Sequence, residues 1–204
     1  MNFDEYAIDW DTERRKKRAK IIAKEIRKEA KIKKNDKCLE FGCGTGLMSI
    51  NLYPYSKKID LLDTSEEMLA RVEAKIQNNQ IKNMETIHLD ITTDDVLENK
   101  YDVIYTSMVL HHIKNINSII KNFYKMLNKT GRLCIVDLNN VSRAFHKNEL
   151  DFDGHDGFDT KKFKEILENS GFINVKVRTF YESIKKIEEK EIEYSLFIIS
   201  AEKG

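Results

Sequence analysis

The chain has 204 residues, 41% hydrophobic and 34% charged, with one proline and eight glycines; this suits one ordered domain and excludes a collagenous or low-complexity polymer. Its 35 lysines and arginines against 34 aspartates and glutamates leave a formal charge of +1, which supplies no global reason to expect nucleic acid as a partner. Three scattered cysteines (Cys38, Cys43, Cys134) form neither a disulfide framework nor metal spacing, the opening MNFDEYAIDWD is too acidic for a secretory leader, and no apolar run approaches the ~20 residues of a membrane span, so a reducing cytoplasm is expected.

Residues 11–30 read as a helix, because Ala19, Ile22, Ala23, Ile26 and Ala30 recur at three- and four-residue intervals. The basic run ERRKKR, 13–18, opens it and reads as a solvated face, with the binding of an anionic substrate or polymer as the alternative. A first strand, KCLEF, runs into GCGTG, and a short helix is expected over about 45–53, ending before Pro54. The strand KIDLL, 58–62, leads to TSEE, where Thr64 can cap and Glu67 can bond back as a capping box for a helix running to about 78. METIHLD, 84–90, and DVIYT, 102–106, read as the third and fourth strands. A helix over 115–128 carries Ile116, Ile119, Ile120, Phe123 and Leu127 on one face, and RLCIVDL, 132–138, is the fifth strand. After a long polar loop, 139–159, the stretch 160–170 reads as helix with Gly171 suited to its left-handed terminus. FINVKVRTF, 172–180, and YSLFIISA, 194–201, complete seven strands, the last pair with no full crossover helix between them and so suited to an antiparallel hairpin. Strands alternating with helices predict an α/β, Rossmann-like, mostly parallel sheet covered on both faces, in one domain over 1–204.

The glycine turn carries the chemistry. Gly42, Gly44 and Gly46 follow the first strand, where an open parallel sheet places its ligand, and three glycines in five residues cost backbone entropy that close approach of a ligand justifies. A P-loop is excluded because LMSI stands where a Gly-Lys-Ser/Thr sequence is needed. A dinucleotide fold asks for GxGxxG, whereas the spacing here is GxGxG. Asp63, 21 residues after Gly42, can accept bonds from both hydroxyls of a ribose. Glu40 beside the strand exit is awkward for a pyrophosphate and useful near an ammonium, which favours S-adenosylmethionine, a ligand with an ammonium, a sulfonium and no phosphate.

LEFGCGTG, IDLLDTSEEML, HLDI and DVIYTSMVLHHI, in this order and spacing, resemble the class I S-adenosylmethionine-dependent methyltransferases, and among them the small-molecule enzymes of the ubiquinone and menaquinone biosynthesis type. The resemblance covers nearly the whole chain. It implies the strand order 3-2-1-4-5-7-6 with the seventh strand antiparallel, and S-adenosylmethionine as cofactor with S-adenosylhomocysteine as product. It places Gly42, Gly44 and Gly46 beneath the methionine moiety, with Cys43 a backbone contributor; Asp63 and the adjoining Thr64 lie at the ribose, Asp90 and Ile91 beside the adenine, and Ser107 or Met108 at the floor of the site. Met68 reads either as core or as packing against the adenine.

Methyl transfer needs alignment, exclusion of water and, for some acceptors, a base. His111 and His112, just past the fourth strand, are candidates for that base, and His146 and His155 lie in the 139–159 loop, which leaves from the same edge and can cover the acceptor. No metal is expected, because these histidines and Asp137 lack compact ligand spacing. Phe3, Tyr6 and Trp10 are spaced as one apolar face and read either as core or, within residues 1–30, as a lid over the donor; Arg14 can meet the donor's carboxylate. The expected partner is a small-molecule acceptor attacking through oxygen, nitrogen or carbon, on a monomer or homodimer. Methylation of RNA or protein, and a non-catalytic module that binds S-adenosylmethionine, are the alternatives.

Overall fold

The computed structural model describes residues 10–92, 96, 100–149 and 152–204. Helix α1 (Glu13–Glu29) leads to β1 (Lys37–Phe41), and a one-turn helix α2 (Ser49–Leu52) with a 3-10 turn (Tyr53–Tyr55) leads to β2 (Lys58–Asp63). Helix α3 (Glu66–Asn78), β3 (Met84–His88), β4 (Tyr101–Ser107), α4 (Ile116–Met126), β5 (Leu127–Leu138), α5 (Thr160–Asn169), β6 (Phe172–Ile187) and β7 (Lys190–Lys203) follow. The strands form one sheet in the order β3-β2-β1-β4-β5-β7-β6, as expected. Pairing is parallel from β3 through to β5, and β7 runs antiparallel to both β5 and β6.

Strand alternation divides the core into two layers. Leu39, Phe41 and Ile104 pack against Ile119, Ile120 and Phe123 of α4 and against Phe163 and Leu167 of α5. On the other face Cys38, Val103 and Tyr105 meet Ile22, Ala23 and Ile26 of α1 and Leu69 and Val72 of α3. Because both faces are covered, the open crevice falls at the carboxyl ends of the central strands. All three cysteines are buried and free, and among the described residues no helix is long and apolar enough to cross a membrane.

Local chemistry moves several boundaries. The cap of α3 is Ser65, whose Oγ accepts the Met68 amide at 3.1 Å, one residue later than the Thr64 cap read from the sequence. The reason is the Asp63 carboxylate, which accepts the Ser65 amide at 3.0 Å and holds the chain in a turn until Ser65. The helix expected over 45–53 shrinks to α2 and the 3-10 turn, since the residues through Gly46 belong to the glycine turn. The hairpin of β6 and β7 reaches beyond the expected 172–180 and 194–201, joined through Glu188 at a φ of +54°. Gly171, at a φ of +96°, terminates α5 as expected.

Phe123 is fully buried and stands edge-on to Phe41 with ring centroids 5.2 Å apart, so it supports the strand end that carries the glycine turn. Phe123→Ala is expected to lower unfolding free energy by about 3–5 kcal/mol, read from urea denaturation followed by circular dichroism.

Candidate functional site

A crevice of about 250 Å³ opens beyond the carboxyl ends of β1, β2 and β4, roofed by α1. Its floor is the turn after Phe41. Gly42 has a φ of +66°, and a Cβ there would lie 2.5 Å from a Val109 methyl carbon, so this position admits no side chain. Gly44, at a φ of +50°, is different: an added Cβ would meet only Trp10 Nε1, at 3.8 Å, and its bare backbone faces the crevice. Gly46 does not line the crevice; its missing side chain lets Val72 of α3 approach, with a built Cβ 3.2 Å away.

Asp63, at the end of β2, fixes this floor. One carboxylate oxygen accepts the Gly44 amide at 2.7 Å and the other accepts the Ser65 amide at 3.0 Å. The residue also lines the crevice. Asp11 secures the turn from the other side: Thr45 Oγ1 donates to it, and it pairs with Lys75, whose ammonium donates to the Thr45 carbonyl at 2.6 Å.

Helix α1 supplies the roof. Arg15, Arg18, Ala19 and Ile22 share one face and line the crevice, while Arg14, Lys16 and Lys17 are exposed. Arg15 stacks over Trp10 at 3.9 Å and donates to its carbonyl at 3.1 Å. Burial, with the neighbouring Arg18 charge second, holds the Arg15 guanidinium below its ordinary pKa. Arg14, expected to face the crevice, instead donates to the Ile184 carbonyl of β6, and the arginines that line the crevice are Arg15 and Arg18. The sequence contained the signal: the apolar positions 19, 22, 23 and 26, extended backwards at helical spacing, select 15 and 18.

The histidines divide by role. His112 lines the crevice, and burial followed by repulsion from His111 pushes its imidazole down to about 3. His111 lies behind it, fully covered, with Nδ1 2.6 Å from Asp137 Oδ1. Asp137 also accepts the Leu110, His111 and Leu138 amides; burial raises its carboxyl, but His111 and these donors overcome that and hold it below the ordinary value. His146 bonds Glu149 at 2.9 Å and stacks on Phe152 with centroids 3.7 Å apart, outside the crevice lining. His155 contacts the Ile113 carbonyl at 2.9 Å, and its amide donates to the His111 carbonyl at 2.7 Å, which ties the 139–159 loop to the segment after β4. Among the described residues no group of three or more His, Cys, Asp or Glu is placed to hold a metal ion.

Of the remaining residues singled out from the sequence, Trp10, Cys43, Thr64, Met68, Asp90, Ser107 and Met108 line the crevice, the last with a left-handed φ of +60°. Tyr6 and Phe3 lie outside the described residues. Ile91 is core, and Thr92 beside it takes the crevice position. Glu40 is buried away from the crevice: Ser49 Oγ donates to it and lies 2.6 Å from the Tyr105 hydroxyl. The period of two along β1 sends residue 40 to the face opposite Leu39 and Phe41. Sequence reading missed Leu47, Met48, Val109 and Ile113, apolar lining residues with no polar mark to single them out.

A protein-family profile described as "Methyltransferase domain" matches residues 13–177. The ubiquinone biosynthesis O-methyltransferase of Pelagibacter ubique is 27% identical over 136 residues, 63% of this chain and 55% of that protein. Phosphoethanolamine N-methyltransferase 1 of Triticum aestivum is 26% identical over 178 residues, 83% of this chain and 34% of that protein. The chain spans about half or less of the length of the curated relatives it matches. The crystal structure of a SAM dependent methyltransferase from Aquifex aeolicus shares the fold, with a TM-score of 0.72 at 17% identity over 98% of each chain.

Burial raises the Glu40 carboxyl to about 8, against the smaller opposing effect of the Ser49 hydrogen bond. A folded pKa above the unfolded one means that the native state binds the extra proton, so stability is fullest below pH ~4.5 and falls, by up to about 1.4 kcal/mol per pH unit, as pH rises towards 8. Glu40→Gln keeps an acceptor for Ser49 without the ionisation; urea midpoints measured from pH 5.5 to 8 should decline less in this variant than in the wild type.

Proposed function

The chain belongs to the methyltransferase-domain family, and we propose that it transfers a methyl group from S-adenosylmethionine to a small-molecule acceptor in the cytoplasm. The observation that carries this reading is the bare Gly44 backbone beside the Asp63 carboxylate, at the carboxyl end of a parallel sheet. A Cβ position open towards the crevice and a carboxylate at its rim fit a ribonucleoside held over main chain. When bound, S-adenosylmethionine supplies a methyl group already activated on a sulfonium.

The chain's own residues then bind, orient and exclude water. Asp63 accepts the ribose hydroxyls, Asp90 and Met68 border the base, and Arg15, stacked on Trp10 above Gly44, meets the donor's carboxylate. Trp10 and the inward face of α1 act as the cover expected of residues 1–30 and keep bulk water from the reacting centre. His112 faces the acceptor. With its pKa pushed down to about 3 the imidazole is neutral throughout the physiological range, so it accepts a hydrogen bond that orients the acceptor's lone pair rather than storing a proton. His111, locked on Asp137, is a positioning residue for His112, and the 139–159 loop with His146 and His155 borders the acceptor side.

A small acceptor suits a roofed crevice of this volume better than RNA or protein, which would need an open mouth with the basic run beside it. The relatives include an O- and an N-methyltransferase by name, which supports the reaction class and leaves the attacking atom among oxygen, nitrogen and carbon.

Titration calorimetry should give saturable binding of S-adenosylhomocysteine and much weaker binding of NAD; the reverse order would overturn the reading. Asp63→Asn, which keeps one acceptor oxygen for the turn, is expected to weaken S-adenosylhomocysteine by about 10-fold or more. With methyl-labelled donor and a metabolite extract, His112→Ala should lower turnover about 10- to 100-fold and donor affinity far less; equal rates would remove His112 from the acceptor side.

A further inference from the structure

Partly buried cations in this fold generally have a matched anion: Arg132 pairs with Asp36, Lys75 with Asp11, and Lys185 with Glu149. The two inward arginines of α1 do not. Arg15 bonds the Trp10 carbonyl and stacks on its ring, Arg18 Nη1 reaches the Tyr194 hydroxyl at 3.4 Å, and among the described residues neither has a carboxylate within salt-bridge distance. They stand three residues apart on the same wall of the crevice. Arg15 is half withdrawn from water and feels the Arg18 charge beside it, an arrangement that is unfavourable unless anions join them.

The donor read above carries one carboxylate, and Arg15 is the arginine beside Gly44. A second cation therefore remains. Arg18 lies about one turn further along α1 and lines the crevice with Ala19 and Ile22, on the side where α1 meets Tyr194 of β7. It is also braced. Tyr194 is buried on β7, wedged edge-on against Phe145 with centroids 5.1 Å apart and beside Tyr181, so the hydroxyl that Arg18 reaches is fixed by packing. Burial raises the Tyr194 phenol, but the Arg18 charge and hydrogen bond, then Ser183 and Arg14, overcome that and hold it below its ordinary value, which reflects a cationic surplus at this point.

We propose that the methyl acceptor carries an anionic group, a carboxylate or a phosphate, and that Arg18, held in place by Tyr194, is the residue that binds it and selects against neutral acceptors. This rests on the reading that the crevice takes S-adenosylmethionine with Arg15 on its carboxylate. Guanidinium pairs with both anions through parallel N–H···O bonds, so the geometry names the shared chemistry and the experiment separates the two sources.

The test follows the Arg15 and Arg18 side-chain N–H resonances by NMR, assigned through Arg15→Gln and Arg18→Gln. Inorganic phosphate or acetate is titrated at constant ionic strength into the protein, with and without saturating S-adenosylhomocysteine. S-adenosylhomocysteine should shift Arg15, and one of the two anions should then saturate Arg18; the anion that binds more tightly identifies phosphate or carboxylate. Arg18→Gln is expected to weaken that anion about 10- to 100-fold while S-adenosylhomocysteine affinity stays within about 3-fold, and Arg15→Gln should do the opposite. Arg18→Lys, which keeps the charge, should recover part of the affinity, separating loss of the site from loss of the fold. Shifts that never saturate, or that persist unchanged in Arg18→Gln, would mean an adventitious ion only and overturn the proposal, as would S-adenosylhomocysteine occupying both arginines and blocking the anion. If S-adenosylhomocysteine binds nowhere while phosphate or acetate still saturates Arg18, the donor reading falls and the anion site stands.

Discussion

The Asp63 carboxylate, shared between the Gly44 and Ser65 amides, is the constraint on which the site depends. It couples the loop after β1 to the end of β2 and the start of α3, reinforcing the Gly42 and Cys43 amides on the Leu62 carbonyl and the Lys75 ammonium on the Thr45 carbonyl. A charged acceptor makes these bonds stronger than neutral ones, and the two amides in turn fix the orientation of the carboxylate. The cost of three residues at positive φ is borne by this arrangement: Gly42 yields to Val109, Gly46 yields to α3, and Gly44 alone is left open towards the crevice.

Above that floor the electrostatics are uneven. Carboxylates sit at the tips of β2 and β3, and guanidinium groups sit on the roof supplied by α1. The proposed donor carries charges of both signs, and an unlike pair of walls orients such a ligand by charge as well as by shape. Arg15 and Arg18 are braced not by carboxylates but by an indole ring with its carbonyl and by a phenol. Neutral bracing leaves the charges available, where a salt bridge would have consumed them.

Much of this was legible in the sequence because it rests on local rules. Strand alternation, helical spacing, the density of glycine and the place of Asp63 fix the elements, the mostly parallel sheet and the position of the crevice, while the strand order follows from the family resemblance. What was not legible depends on the phase of an element or on distant packing. Among adjacent basic residues a shift of one position changes which side chain turns inward, so Arg14 is exposed while Arg15 and Arg18 line the crevice. Glu40 beside the strand exit suits a cationic ligand by position alone, and its withdrawal into a bond with Ser49 beside Tyr105 depends on how α2 folds back and on β4, which is remote from it in the chain. The long hairpin was underestimated because its distal half is rich in charge and alternates only weakly.

That distal half connects the fold to the proposed acceptor side. Because β7 runs antiparallel beside β5, its start reaches the same edge of the sheet as the carboxyl ends of β1 and β4, which a parallel seventh strand would not do. Tyr194 is delivered there, between Phe145 of the loop after β5 and Tyr181 of β6. Lys185 binds the Phe145 carbonyl at 2.7 Å and pairs with Glu149, and Arg14 reaches the Ile184 carbonyl, so the hairpin holds both the loop and α1. Reversal of one strand thus places the support for Arg18 opposite the glycine turn: the floor of the crevice is set by the first two strands, and the bracing of its roof by the last two.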